Sequence, residues 1–294
     1  MKKVICEICG STDNFNIEIT KKYHGSNNLN TCKNCGFVFV ANRRSDREIA
    51  QSWSDEIFRG DFDDKNVKDK PVSYTSRIPA VTARLTYSLE NLLKEVNCEN
   101  KTICDVGGGE GDFLIMAQKK SLFKDIFSIE PSVRNSKILD SLGINHFNGI
   151  IENYDFKNRF DIVTLNWTVE NTQSPRRFIN LCNKLLNDDG YISVATGSRI
   201  LTTYRKPLDY YIIKNNPLDI HSYHFSKNSL CNLLKVGGFE IHSINRYVDT
   251  DYLCVIGKKS KENKHFDLDI DDPKKVIEFF NRWDSETEWL KKIS

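Results

Sequence analysis

Residues 101–116 read KTICDVGGGEGDFLIM and decide the fold. The first six residues predict a buried strand, and those from Phe113 onward predict a helix. Between them lies a D-x-G-x-G-x-G loop formed by Asp105, Gly107, Gly109 and Gly111. Glycines at this junction let the backbone approach a ligand without Cβ atoms in the way. The stretch therefore predicts an α/β domain that holds a ligand between this strand and the next helix.

Charges around the glycine loop narrow the class of ligand. A dinucleotide fingerprint is G-x-G-x-x-G and places a pyrophosphate on the helix N-terminus. Here Glu110 and Asp112 flank the last glycine at that place, and their carboxylates would repel a phosphate. Glu130 ends a second predicted strand nineteen residues after Gly111, where a carboxylate can accept both hydroxyls of a ribose. Together they predict an adenosine-like ligand with a positive charge, and S-adenosylmethionine meets both conditions.

The series of strands and helices from Ala80 to Lys258 resembles the class I S-adenosylmethionine-dependent methyltransferases. The likeness rests on the glycine loop and on SIEPS, FDIVTLNWTVENTQSPRRF, LLNDDGYISVATGS and DYLCVIGKK. It implies an α/β fold with a doubly wound, seven-stranded, mostly parallel Rossmann-like sheet. The cofactor-binding residues that it implies are Asp105, Gly107, Gly109, Gly111, Glu130, Ile151 and Asn166.

Two segments depart from the family pattern. Relatives often carry a Glu-His pair after strand four, whereas this chain has Glu170 and Asn171. Many relatives also carry an acidic residue after strand three that meets the adenine amino group, and the corresponding stretch here is NGIIENY. We therefore expect backbone groups and apolar contacts near Ile151 to hold the adenine, with Glu152 as a further candidate.

Four of the nine cysteines form two pairs near the N-terminus, CEIC and CKNC. Each pair is followed by a glycine that lets the chain turn sharply, so four thiolates can form a tetrahedron. The pattern predicts a structural zinc ion in a small zinc ribbon, held by Cys6, Cys9, Cys32 and Cys35. A redox pair, the alternative, would need only one C-x-x-C. A zinc ribbon joined to this domain resembles a subgroup of small-molecule and sugar methyltransferases from surface-polysaccharide and deoxysugar pathways.

The segment HSYHFS, residues 221–226, holds two of the six histidines and precedes a predicted helix. It resembles an H-x-x-H-F-S element of related methyltransferases, in which a histidine is a candidate base. We predict His224 as the general base for an acceptor hydroxyl, with His221 as the other candidate and Glu170 as a further catalytic residue. Two alternatives stay open: metal ligation by both histidines with Asp219, and a structural role in which the imidazoles bond backbone carbonyls.

Polar, charge-rich stretches divide the chain into four predicted parts. They are a zinc ribbon at 1–44, a linker at 45–78, the methyltransferase domain at 79–259 and a C-terminal helical extension at 260–294. The linker is alternatively a lid that brings Tyr74 to the site. We expect the apolar stripe of the final helix to pack on the methyltransferase domain, with a homodimer contact as the alternative.

The charge balance argues against a strongly basic nucleic-acid binder. Lysines and arginines number 42 against 40 acidic residues, which gives a net charge of +2. No apolar run of signal-peptide or transmembrane length follows the first residues, so we expect a cytoplasmic protein with no membrane partner. Five scattered cysteines indicate reducing surroundings. Arg199, Arg205 and Lys206 lie in a stretch rich in tyrosine and basic residues and are candidates to meet a phosphate or carboxylate of the substrate.

These features predict an S-adenosylmethionine-dependent methyltransferase, EC 2.1.1.-. The predicted acceptor is a small hydroxylated or sugar-like molecule, a sugar, nucleotide-sugar or phosphorylated metabolite, used in surface-polysaccharide or capsule biosynthesis. O-methylation is favoured because C-methyltransferases of the deoxysugar class usually carry a longer C-terminal domain. An rRNA or tRNA methyltransferase whose ribbon docks RNA is the alternative, and a binding module without turnover is a third possibility.

Overall fold

Two β-sheets organise the protein. The computed structural model describes residues 4–21, 29–43, 45–54, 79–203, 221–246, 252–261 and 267–287. The predictions made for Tyr74, Arg205, Lys206 and Asp219 lie outside the described residues. Among the helices that the structure describes, none has the length and apolarity needed to cross a membrane.

The described part of the chain contains eleven strands and seven α-helices. The strands are β1 (Asn14–Asn16), β2 (Leu29–Cys32), β3 (Val38–Val40), β4 (Lys101–Val106), β5 (Phe123–Glu130), β6 (Asn145–Asn148), β7 (Phe160–Asn166), β8 (Leu186–Thr196), β9 (Tyr223–His224), β10 (Phe239–Ile244) and β11 (Leu253–Lys259). The helices are α1 (Asp46–Ser54), α2 (Pro79–Glu95), α3 (Asp112–Lys119), α4 (Val133–Ser141), α5 (Pro175–Leu185), α6 (Lys227–Val236) and α7 (Pro273–Thr287). Single turns of 3-10 helix lie at Glu18–Thr20, Ile151–Asn153 and Val169–Asn171.

The large sheet has the strand order β10-β11-β8-β7-β4-β5-β6. Its strands are parallel except β11, which is antiparallel to both of its neighbours. The chain order reverses at β4, because β5 and β6 lie on one side of it while β7 and β8 lie on the other. In a doubly wound sheet such a reversal opens a crevice at the carboxyl ends of the strands, where ligands bind. The predicted seven-stranded, mostly parallel α/β fold is confirmed.

Alternating side chains on the central strands make both faces of the large sheet apolar. In β7, Ile162 packs into one core cluster, whereas Val163 and Leu165 pack into another. Successive side chains of a strand point to opposite faces, so each face requires a covering layer. Residues of α2 and α3 share the cluster of Ile162, and residues of α5 and α6 share the cluster of Val163. This packing fixes the loops at the carboxyl ends of the strands.

The small sheet joins the N-terminal cysteine segment to a distant part of the chain. It is antiparallel, with the order β1-β2-β3-β9. The register sets Val38 opposite His224 and Phe39 opposite Tyr223. The sheet of the predicted ribbon is therefore extended by a strand from beyond residue 44, and the limits proposed for the four parts of the chain remain predictions.

Helix α7 covers one face of the small sheet. Its buried stripe meets apolar residues of the sheet and of the preceding segment, and the contact joins Val276, Phe280 and Trp283 to Ile17, Leu29 and Val38. The stripe also meets residues within the predicted methyltransferase domain, because Ile200 belongs to the same cluster and the Phe280 ring lies edge-on to His224. Phe39 and Tyr223 turn toward the core of the large sheet, so the opposite face of the small sheet is left for α7.

Candidate active site

The glycine loop between β4 and α3 has a backbone that suits close approach by a ligand. Gly107, Gly109 and Gly111 have φ angles of +75°, +56° and +86°, in the left-handed region. A Cβ on Gly107 would come within 2.7 Å of Thr168, and one on Gly111 within 2.7 Å of Leu139. A Cβ on Gly109 would meet nothing within 4 Å. The loop therefore packs tightly at its two ends and faces open space at Gly109.

The carboxylate of Glu130 lies beside this open space, at the end of β5. Its Oε2 accepts a hydrogen bond from the Gly109 amide and its Oε1 accepts one from the Ser132 amide, both at 2.8 Å. Only 4% of the residue is exposed. Burial raises the pKa of Glu130, and the two amide bonds oppose that shift. The structure thus brings together the glycine loop and the carboxylate that the sequence predicted for a ribose.

A second buried carboxylate, Asp105, lies at the carboxyl end of β4. Its Oδ1 accepts hydrogen bonds from the Thr164 hydroxyl at 2.7 Å and from the Asn166 side-chain amide at 3.2 Å. Burial raises the pKa of Asp105 to about 7, although both bonds favour the ionised form. The Asn166 Oδ1 in turn accepts from the Ser88 hydroxyl at 2.8 Å, which fixes the orientation of the amide. Asp105 and Asn166 therefore act as one polar unit between β4 and β7.

The surroundings of Glu110 and of Ile151 differ from those that the sequence suggested for the cofactor site. Glu110 forms a 2.8 Å ion pair with Arg134, so its charge is largely offset and its repulsion of a phosphate is weaker than the sequence suggested. Ile151 is almost fully buried in the core of the large sheet. A contact between Ile151 and an adenine would therefore come from its backbone groups, and this role stays a prediction.

The residues around Gly109 fit S-adenosylmethionine. A ribose needs a carboxylate beside a backbone without side chains, and Glu130 next to Gly109 supplies both. A cationic ligand gains most from a buried carboxylate, and Asp105 is one.

We expect Gly109→Ala to abolish binding of S-adenosylmethionine while the protein still folds. The added methyl group enters the open space that a ligand would occupy, and the left-handed φ costs about 1–2 kcal/mol of stability. Gly143→Ala is the matched control, because Gly143 has a φ of +68° and its Cβ would also meet nothing within 4 Å. Calorimetric titration and thermal unfolding of both variants test this. Equal affinity in the two variants would contradict the placement of the ligand.

Glu170 lies in the 3-10 turn after β7, where the sequence predicted a catalytic residue. The residue is fully buried, and within the described structure neither carboxylate oxygen makes a hydrogen bond of normal geometry. Burial raises the pKa of Glu170 to about 7, and the nearby Thr196 hydroxyl and Gly197 amide oppose the shift. The carboxyl therefore lies between the loops that follow β7 and β8. Its catalytic role stays a prediction.

We expect Glu170→Gln to flatten the pH dependence of stability between pH 4.5 and about 7. The folded protein holds the proton of Glu170 more tightly than the unfolded chain, so stability falls as the pH rises through this window. Over this window the natural protein loses about 3 kcal/mol of its free energy of unfolding. The variant has no ionisable group at position 170, so its stability should match that of the natural protein at pH 4 and exceed it at pH 8. Urea unfolding at several pH values measures this, and parallel curves for the two proteins would contradict it.

The two predicted histidines lie together at the end of the small sheet. Their ring centroids are 6.4 Å apart. His224 is 5% exposed, and its Nδ1 lies 3.1 Å from the Ser198 hydroxyl. That hydroxyl donates its one hydrogen to the Tyr223 carbonyl at 2.7 Å, so it accepts from Nδ1–H of His224. The neutral imidazole then carries its lone pair on Nε2, the atom that a general base needs; this atom is buried, and the ring lies edge-on to Phe280 of α7, with the ring centroids 6.3 Å apart.

The four N-terminal cysteines fit a zinc ion. Their sulfur atoms all lie within 4.8 Å of one another. The Sγ atoms of Cys6 and Cys35 are 3.6 Å apart, and those of Cys9 and Cys32 are 3.5 Å apart. A tetrahedron with zinc–sulfur bonds of about 2.3 Å has edges of about 3.8 Å. In both pairs the glycine amide donates to the carbonyl of the first cysteine at 3.0 Å, which gives the two turns matching geometry.

Three further residues lie near the site: Trp167 and Arg84, which the sequence did not single out, and Arg199, which it did. Trp167, directly after Asn166, has a φ of +56°, which is a strained conformation for a bulky residue. The Arg84 guanidinium lies 5.8 Å from the centroid of its ring. Arg199, predicted as a substrate contact, is 5% exposed and donates to the Tyr252 carbonyl at 3.2 Å. Only the position of Trp167 directly after β7 could have marked it.

Comparison with known proteins gives the family and the fold. Residues 80–244 match the family model described as a methyltransferase domain. No curated protein matches the chain. A chain from the complex between the Trm112 methyltransferase activator and a methyltransferase of Haloferax volcanii is 12% identical, with a TM-score of 0.53 and coverage of 66% of this chain and 97% of that one. The 1,6-didemethyltoxoflavin-N1-methyltransferase of Burkholderia thailandensis, solved with 1,6-didemethyltoxoflavin and S-adenosylhomocysteine, is 13% identical, with a TM-score of 0.52 and coverage of 76% and 96%.

Proposed function

The chain belongs to the methyltransferase-domain family, as a class I S-adenosylmethionine-dependent methyltransferase, and we propose that it methylates a hydroxyl group of a small, sugar-like acceptor. One observation carries the proposal. Glu130 ends β5 beside Gly109, and Ser198, which contacts His224 of the small sheet, follows β8, so the two pairs meet the same carboxyl edge of the large sheet. A ribose-binding carboxylate and a candidate base at one edge suit transfer of a methyl group to a hydroxyl.

The cofactor half of the site consists of Glu130, Gly109, Asp105 and Asn166. When bound, S-adenosylmethionine supplies an electrophilic methyl group on a sulfonium. We assign the ribose hydroxyls to Glu130: its Oε2 accepts a single bond from Gly109, and the 3.4 Å bond from Asn135 to Oε1 is weak enough to be replaced. We assign the cationic end of the ligand to Asp105. A nearby positive charge would lower the pKa of this carboxyl and hold it ionised at neutral pH.

The acceptor half of the site contains His224, Ser198 and Glu170. A hydroxyl must lose its proton as it is methylated, and we assign that proton to Nε2 of His224. Ser198 is the residue that fixes the tautomer, since it accepts from Nδ1–H. Glu170 lies beside Thr196 and Gly197, directly before Ser198, and we assign it to the support of this loop.

The remaining assignments rest on the sequence and on the cysteine geometry. We assign a structural zinc ion to Cys6, Cys9, Cys32 and Cys35, because four thiolates close all positions of a tetrahedral ion. We assign the acceptor to surface-polysaccharide biosynthesis, because the combination of ribbon and methyltransferase domain resembles enzymes of such pathways.

Two measurements test this function. Calorimetric titration of the zinc-loaded chain should give micromolar binding of both S-adenosylmethionine and S-adenosylhomocysteine. Transfer of a radiolabelled methyl group should then be measured with nucleotide-sugars, phosphorylated small molecules and RNA in parallel. Transfer to a sugar hydroxyl supports the proposal, whereas transfer to RNA alone, or a failure of both ligands to bind, rejects it.

A further inference from the structure

The four N-terminal cysteines together with β1, β2 and β3 are called the cysteine unit below. Tyr223, the residue before the candidate base, joins this unit to two loops of the large sheet. Its ring stacks on Phe37, with centroids 5.7 Å apart and planes 6° from parallel. Its hydroxyl donates to the Gln173 carbonyl at 2.6 Å, in the loop after β7. Its own carbonyl accepts the Ser198 hydroxyl at 2.7 Å, in the loop after β8. The position of the His224 backbone is thus set from three sides.

Both cysteine pairs reach this junction. Phe37 follows the second pair, so the ring under Tyr223 is held by that turn. Glu7, inside the first pair, forms an ion pair with Arg43 and accepts from the Ser174 hydroxyl at 2.7 Å. The Arg43 guanidinium lies 5.1 Å from the centroid of the Tyr223 ring. Tyr223 is therefore packed between groups whose positions depend on the geometry of the four thiolates.

The segment after His224 is also tied to the second cysteine pair. The Asp271 amide donates to the Cys35 carbonyl at 3.3 Å. The Asp271 carboxylate accepts from the Asn228 amide at 2.9 Å and from the Ser226 hydroxyl at the start of α6. Residues on both sides of His224 thus contact the cysteine unit.

We infer that Tyr223 is a positioning residue through which the metal-bound cysteine unit holds His224 in the acceptor half of the site. Strand β9 has two residues and pairs only with β3 among the described strands. The strands β1, β2 and β3 are three or four residues long, and the two cysteine turns that bring them together depend on the metal for their geometry. We therefore expect loss of the metal to weaken the pairing of β9 with β3. One face of β4 and β5 shares a core cluster with the cysteine unit, but the other face packs with α2 and α3 in a cluster that contains no residue of that unit, and we expect it to keep the cofactor half folded.

Hydrogen exchange by mass spectrometry on the full chain separates the two halves. We compare the zinc-loaded protein with a Cys32→Ser, Cys35→Ser double variant whose metal content is measured. Amides of residues 221–226, including the Phe225 amide that donates to Ser198 at 2.7 Å, should exchange at least about tenfold faster in the variant. The strands β4 and β5 should keep their protection, and the affinity for S-adenosylmethionine should stay within about threefold.

Two outcomes of this comparison would overturn the inference. The first is unchanged protection of residues 221–226 without metal, which would mean that β9 holds its place alone. The second is an equal loss of protection in β4 and β5, which would mean that the chain is one cooperative unit with no separable acceptor half.

A Tyr223→Phe variant of the zinc-loaded chain tests the residue itself. It keeps the ring on Phe37 and loses the bond to Gln173, so we expect kcat to fall about 5–10-fold with the KM for S-adenosylmethionine unchanged. Hydrogen exchange in residues 221–226 should become faster as well.

Tyr191→Phe is the control, since Tyr191 lies in β8 against His242 and Lys258. The effect on kcat rests on the proposed function, but the exchange result does not need an acceptor. Unchanged exchange in Tyr223→Phe would overturn the role of Tyr223 even if no acceptor is methylated.

Discussion

Replacement of Glu130 by Ala should weaken binding of S-adenosylmethionine about 100- to 10,000-fold. Each hydrogen bond from a ribose hydroxyl to a buried carboxylate contributes about 1.5–3 kcal/mol, and two of them are lost together. The substitution also removes the acceptor of the Gly109 amide, so the loop beside the ligand loses a support. Calorimetric titration with S-adenosylmethionine and S-adenosylhomocysteine measures the change. Both ligands should be affected alike, because they share the ribose.

A control must show that the loss is specific to the cofactor half. Asp161 is a suitable control residue. Like that of Glu130, its carboxylate accepts a hydrogen bond from a backbone amide, that of Thr102 at 2.9 Å, and one from a side-chain amide, that of Asn187 at 3.1 Å. It lies near the amino end of β7, at the opposite edge of the large sheet from Glu130. Asp161→Ala should lower stability and leave affinity unchanged within about twofold. An equal loss of affinity in both variants would mean that general destabilisation, and not a ribose contact, explains the Glu130 result.

The cofactor half could be predicted from sequence because its parts are local. The strand β4, the glycine loop and Glu130 lie within one stretch of thirty residues, from Lys101 to Glu130. Each part has a pattern of its own: an apolar run, glycines at alternate positions and an acidic residue at a strand end. The strand order then follows from the family resemblance. Charges were predicted less well, since Arg134, which pairs with Glu110, belongs to the next helix and has no fixed spacing in the pattern.

The acceptor half could be predicted only in part, because its contacts join distant segments. A strand of two residues has no periodicity, so nothing in the sequence shows that Tyr223 and His224 pair with β3. The apolar stripe of α7 could be predicted, but a stripe shows that a face is buried and not which surface buries it. The choice between His221 and His224 was also open. It depends on the Ser198 hydroxyl, whose contact with His224 requires the small sheet to be in place.

We expect His224→Ala to lower kcat by about 100- to 10,000-fold while S-adenosylmethionine binds as before. The imidazole is the candidate acceptor of the hydroxyl proton, and the cofactor contacts assigned above involve other residues. The two quantities therefore separate: turnover is measured with the acceptor identified by methyl transfer, and affinity by calorimetry in its absence. Retained binding with lost turnover also excludes a binding module that never catalyses transfer.

The comparison with other histidines decides whether this loss reflects catalysis. His242→Ala removes an imidazole whose Nε2 lies 2.9 Å from the Glu95 carbonyl, and it should leave kcat within about twofold. His221→Ala should reduce kcat less than His224→Ala, because the Ser198 bond fixes the tautomer of His224. Ser198→Ala should reproduce part of the His224 effect, since it removes the group that holds Nδ1–H. A reversed order, with His221 dominant and Ser198 without effect, would transfer the role of base to His221 and make His224 a structural residue of the small sheet.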